Sequence, residues 1–136
     1  MLVADLVGVP FADMGRGPGG IDCWGLVLEV FRREGVILPD YIIHCHDSEG
    51  FQGLVDGERP RWRRHEPPDI PIPAVVAIRF NSPLVNHVGA YVEDGKFLHV
   101  REKTGAVIER IDSPCWRHRI EGFYTPCVVL PDEVSL

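Results

Sequence analysis

Hydrophobic positions along the chain follow two periods. Leu26, Val27, Val30 and Phe31 recur at helical spacing, with Glu29, Arg32 and Arg33 on the opposite face. Asp22 supplies an N-cap and Gly35 a C-terminal stop, so the pattern predicts a helix of about three turns over Cys23 to Glu34. From Ala74 the period shortens to that of strands, predicted at Val75 to Phe80, Val88 to Val92, Phe97 to Arg101, Ala106 to Ile111 and Gly122 to Leu130. Between these regimes, Pro39 to Pro73 is rich in Pro, Gly and charge. It reads as a long connection with one turn of helix around Gly50 to Val55, and a connection of that length usually carries function or covers something. Upstream, Ala4 to Val9 is short and apolar and stops at Pro10, and the GRGPGG run from Gly15 to Gly20 reads as a loop. The predicted class is α+β, an N-terminal helix packed on a small antiparallel sheet.

Composition narrows this picture. A chain of 136 residues fits a single domain over residues 1–136, able to bury a core without staples. A net charge of -6 argues against a general nucleic-acid binder, and the basic stretch from Arg59 to Arg64, with Trp62 inside it, reads as a solvated loop. No apolar run approaches the ~20 residues of a membrane helix, so no membrane insertion is expected. Met1 to Pro10 lacks a basic n-region and carries Asp5, so no signal peptide is expected. The four cysteines lack C-x-x-C spacing and read as free thiols, Cys127 as a core residue of the last strand. His44-Cys45-His46 and Cys115 with His118 contain zinc-ligand types. An extended HCH segment, however, turns its thiol away from its two imidazoles, so neither a metal nor a cofactor is expected.

Three residues carry the candidate chemistry. Cys23 stands in the first turn of the predicted helix, directly after the glycine-rich run, where unpaired N–H groups and the positive dipole end favour a thiolate. His87 and His99 lie twelve residues apart across a hairpin. A two-residue loop at Asp94-Gly95 pairs Ala90 with His99 and sends the rings to opposite faces. A three-residue loop with Gly95 left-handed pairs Gly89 with His99 and makes the histidines diagonal neighbours, about 7–8 Å apart at the backbone. In that register one imidazole can take the cysteine proton while the other orients it.

The stretch GPGGIDCWGLVLEVF, Gly17 to Phe31, resembles the nucleophile segment of NlpC-type cell-wall cysteine peptidases, and HVGAYVEDGKFLHV, His87 to Val100, resembles their histidine hairpin. The two motifs stand in the family's order, about sixty residues apart. The resemblance implies a papain-like fold and hydrolysis of peptide amides in peptidoglycan stem peptides, with Cys23 as nucleophile, His87 as base and His99 as orienting residue. It also implies substrate contacts at Phe11, Asp22 and Trp24. At two of these the chain departs from the family, which often has Tyr at the first and Ser at the last; both changes remove a polar contact to a stem peptide's free amine. Val9-Pro10-Phe11, Asp22 to Val27, and Trp116 ahead of Glu121 to Tyr124 are similar to the subgroup encoded in phage tail modules. That subgroup implies a virion tail-tip location and other tail proteins as partners. Phe11 and Trp24 equally suit an alternative, a catalytically silent tail-tip protein that keeps the fold.

Overall fold

The computed structural model describes residues 1–44 and 46–127. Two short strands, β1 (Arg16–Gly17) and β2 (Gly20–Ile21), precede helix α1 (Cys23–Arg33). Helix α2 (Ser48–Glu58) and a 3-10 turn (Arg59–Arg61) lead into β3 (Trp62–His65), followed by β4 (Ala74–Ile78), β5 (His87–Glu93), β6 (Lys96–Arg101), β7 (Gly105–Arg110) and β8 (Ile120–Pro126). The last six strands form one antiparallel sheet in the order β3-β8-β4-β5-β6-β7. The arrangement is the expected α+β class, helices packed on an antiparallel sheet.

Helix α1 forms for the reasons its sequence states. Asp22 caps it by accepting from the Gly25 N–H at 2.7 Å, and Gly35 follows its end at φ +80°. Leu26, Val27, Val30 and Phe31 are buried almost completely and seat the helix on β5 and β6. Sheet residues Val88, Ala90, Val92, Leu98 and Val100 meet it there. The alternate residues face the other way, into a second cluster of Val76, Ile78, Tyr91, Phe97, Trp116 and Phe123.

The structure corrects several sequence expectations. Gly15 to Gly20 is not wholly loop: Arg16 pairs with Ile21 and Gly17 with Gly20 as a two-strand ribbon. The long connection contains an eleven-residue helix, α2, capped by Asp47 on the Gly50 N–H, where only one turn was expected. The Arg59–Arg64 stretch is not a solvated loop. It forms the 3-10 turn and edge strand β3, with Arg59 and Arg64 both donating to the Tyr124 hydroxyl and Arg64 paired with Glu121. Trp62 is half-buried, its ring 6.3 Å from Trp24. Cys127 is exposed just past β8 rather than in the core.

Candidate active site

Cys23 is the first residue of α1 and is buried, 6% exposed. Directly before it, Asp22 is 2% exposed, and its carboxylate accepts from Arg16 as well as from Gly25. Burial pushes the Asp22 carboxyl above its ordinary value, while Gly25 and Arg16 pull it back. Cap and ion pair together fix the residue from which the helix, and hence the cysteine, starts.

The histidines are set by the β5–β6 hairpin. Its tip is Asp94-Gly95, with Glu93 opposite Lys96, but the register shifts between Tyr91 and Glu93 so that Tyr91 opposes Phe97 and Ala90 opposes Leu98. The bulge at Val92 therefore supplies the register expected of a three-residue loop, on top of a two-residue tip. Gly95 takes φ +80°, as that turn requires. A Cβ on Gly89 would lie 2.8 Å from the Leu98 carbonyl oxygen and 3.1 Å from the His99 Cβ, so only glycine leaves this crossing open.

His87 and His99 consequently share a face, and Nε2 of His87 lies 2.9 Å from Nδ1 of His99. His99 is 0% exposed, enclosed by Phe97 at 4.9 Å and Trp116 at 4.7 Å between ring centroids. Its Nε2 lies 3.2 Å from Oε2 of Glu109 on β7. Burial holds the His87 imidazole far below its ordinary pKa, with His99 and Arg101 adding to the effect. His99 is lowered by burial and by Arg101. Both rings are therefore neutral at neutral pH.

Neutrality fixes the protons along this chain. As a carboxylate Glu109 can only accept, so the hydrogen of His99 sits on Nε2. His99 Nδ1 is then an acceptor, and His87 must donate from its own Nε2. The lone pair left on His87 is the one on Nδ1, which makes that nitrogen the base of the chain. Sequence reasoning found both histidines and missed Glu109. Its only signal was a carboxylate alternating onto the histidine face of an edge strand, a pattern common on any solvated strand.

The remaining expected site residues sit differently. Trp24 is 3% exposed, donates from its indole N–H to the Pro39 carbonyl at 2.9 Å and packs 5.0 Å from Tyr41. It lines an apolar cavity of about 70 Å³ with Tyr41, Phe51, Trp62, Val75 and Tyr124. Phe11 is half-buried against the core and bridges to Ile21. Cys45 lies outside the described residues, and among the described residues no group of three or more His, Cys, Asp or Glu side chains could hold a metal ion. No helix of the described residues is long and apolar enough to cross a membrane.

Compared with known proteins, the chain has the NlpC/P60 fold. It aligns with an NLP/P60 family lipoprotein-like protein of Staphylococcus aureus at a TM-score of 0.65 and 18% identity, over 91% of this chain and 38% of that one. With NlpC1 of Trichomonas vaginalis the TM-score is 0.63 at 19% identity, over 88% and 40% of the two chains. The NlpC/p60 domain of the peptidoglycan hydrolase SagA gives 0.59 at 11% identity, over 88% and 89%. In sequence, proteins named "Probable endopeptidase" from Mycobacterium tuberculosis and Mycobacterium bovis are 35% identical over 94 residues, 68% of this chain. The chain spans about a fifth of the length of those relatives. No model of a known protein family matches the sequence.

Proposed function

We propose that this chain is a cysteine peptidase that hydrolyses peptide amides in peptidoglycan stem peptides. The observation that carries the reading is the chain from His87 through His99 to Glu109, on strands against which the Cys23 helix packs. The NlpC/P60 fold and the similarity to endopeptidases add support. In this reading the Cys23 thiol gives its proton to Nδ1 of His87, and the thiolate attacks the amide carbonyl carbon. The oxyanion forms near the N–H groups at the start of α1. His87, now an imidazolium steadied by His99 and Glu109, passes the proton to the leaving nitrogen as the C–N bond breaks. Water, activated by neutral His87, then hydrolyses the Cys23 thioester and regenerates the thiol.

The substrate follows from what the site no longer offers. Phe11 and Trp24 carry no hydroxyl, and the indole N–H is taken by Pro39. The Asp22 carboxylate is buried under Arg16 and Gly25. Nothing in this set is left to fasten a free amine, so the reading favours intact, glycan-linked stems. Such a substrate suits an enzyme meeting an undigested wall, and the sequence features shared with phage tail modules support a tail-tip location with other tail proteins as partners. The buried Trp24 is the observation that favours the alternative, a silent tail-tip protein. Digestion of purified sacculi by the wild type and by Cys23→Ala separates the two. New amine ends released only by the wild type support the peptidase; none from either would leave the structural protein.

A further inference from the structure

Beside the histidine pair lies a cluster that the reading above leaves unused. Phe80, two residues past the end of β4, stacks on Trp116 with centroids 5.7 Å apart and planes 24° apart. Two arginines share these rings. The Arg101 guanidinium carbon lies 4.9 Å from the Phe80 centroid and 5.8 Å from that of Trp116, and Arg119 lies 5.3 and 5.7 Å from the same two. Trp116 is 2% exposed and touches His99, and Phe80 lies 6.3 Å from His87, so the rings are anchored to the histidine face.

Among the described residues neither guanidinium has a carboxylate partner. The Arg119 guanidinium donates to the Asn81 amide oxygen at 3.2 Å, and that of Arg101 makes no hydrogen bond among these residues. Glu102, next in sequence to Arg101, lies 3.6 Å from His46, and Glu109 lies on His99. Among the described residues the other two half-buried arginines, Arg16 and Arg33, are each paired with a carboxylate. Two like charges held against one ring pair, with most of their N–H donors unspent, form a ready receptor for an anion. Arg101 also opposes protonation of both histidines, which places its field on the reacting base.

We propose that Arg101 and Arg119, held on the Phe80–Trp116 ring pair beside His87, bind a carboxylate on the leaving-amine half of the substrate. This rests on the peptidase reading. His87 hands its proton to the leaving nitrogen, so the part of the substrate lying over the histidine face is the half that departs. The acyl half, which becomes bonded to the Cys23 sulfur, lies on the other side of the scissile bond. A planar carboxylate can take two parallel N–H bonds from one guanidinium and a further one from the other, a geometry a carboxamide cannot match. The preferred substrate is therefore a peptide whose leaving residue carries a free carboxylate.

The test uses two probes that differ in one group: N-acetyl-L-Ala-γ-D-Glu-L-Lys with a free C-terminal carboxylate, and the same peptide as its C-terminal carboxamide. Turnover is measured with the wild-type chain, and binding with Cys23→Ala by calorimetry. The carboxylate peptide is expected to be favoured at least tenfold in both kcat/KM and Kd. In Arg101→Met with Arg119→Gln the ratio should fall to within twofold of one, while Arg101→Lys keeps part of it. A ratio near one in the wild type, a ratio unchanged in the double variant, or binding of neither peptide would overturn the proposal. If the Cys23→Ala protein binds with the expected preference and the wild type cuts neither peptide, the carboxylate site stands and the peptidase reading fails.

Discussion

Replacing Glu109 with Gln tests the proton assignment on which the chemistry depends. Glu109 touches no reacting atom; it sits at the far end of a two-ring chain, 3.2 Å from Nε2 of His99, with its side chain 29% exposed. It acts as a positioning residue by keeping the His99 hydrogen on Nε2 and, through His99, the His87 hydrogen on Nε2. The glutamine oxygen can still accept, so the geometry survives. What is lost is the charge that steadies the imidazolium formed in the transition state. A hydrogen bond to a charged group is worth about 1.5–3 kcal/mol against about 0.5–1.5 for a neutral one. The difference of about 1–1.5 kcal/mol corresponds to roughly a tenfold drop in kcat/KM. Glu109→Leu removes the acceptor, releases the tautomer, and should cost roughly a hundredfold. The assay is release of amine ends from stem peptides, read beside the ring ¹⁵N shifts of His99, which report which nitrogen is protonated. In the wild type Nε2 carries the hydrogen; in Glu109→Leu it should be shared with Nδ1. Both variants within twofold of wild type, with unchanged ¹⁵N shifts, would refute the reasoning.

Three further outcomes follow. If the helix end favours the thiolate and neutral His87 accepts its proton, alkylation of Cys23 should level off below the free-cysteine pKa of about 8.5 and slow in His87→Ala; a wild-type rate still climbing well above that pH would show an unactivated thiol. His87 and His99 have folded-state pKa values below the unfolded value of about 6.5, so the unfolded chain binds more protons in acid. Their contribution to stability is complete above that pH and declines below it, by up to about 1.4 kcal/mol per pH unit for each ring. Urea unfolding between pH 7 and 5 should show this, and His99→Asn should halve the slope; a flat profile would contradict the burial of neutral rings. Finally, turnover of intact sacculi and of free-amine muropeptides should be comparable, and a strong preference for the free amine would show that the site around Phe11, Asp22 and Trp24 does hold an amine.

Much of the fold could be read from the sequence because its main elements announce themselves locally. Helix α1 has a cap, an apolar stripe and a glycine stop, and the β5–β6 hairpin has two short apolar runs around a turn glycine. The elements missed are those whose stability is tertiary. Helix α2 contains Gly50, Gly53 and Gly57 and fully buries only Phe51, so its pattern is weak, and it forms against Trp62 and the apolar cavity. Strand β3 reads Trp-Arg-Arg-His, with no apolar alternation, and exists because β8 supplies its partner groups. The place of Cys23 at a helix start and the meeting of His87 with His99 were legible because a cap and a hairpin register constrain side chains over short distances. Glu109 and the Arg101–Arg119 pair depend on which strands and loops come together, and no local pattern sets those contacts.

The central claim is that Cys23 forms a covalent acyl intermediate with His87 as its base, and trapping that intermediate tests it most directly. Wild-type protein mixed with an acetylated stem peptide is quenched in acid within milliseconds, digested and weighed. The account predicts a thioester adduct on the fragment containing Cys23, equal in mass to the acyl half of the substrate and released by hydroxylamine. The adduct should be absent in Cys23→Ala and should form much more slowly in His87→Ala. Cleavage that proceeds at an undiminished rate in Cys23→Ala, with no adduct on that fragment in the wild type, would contradict it.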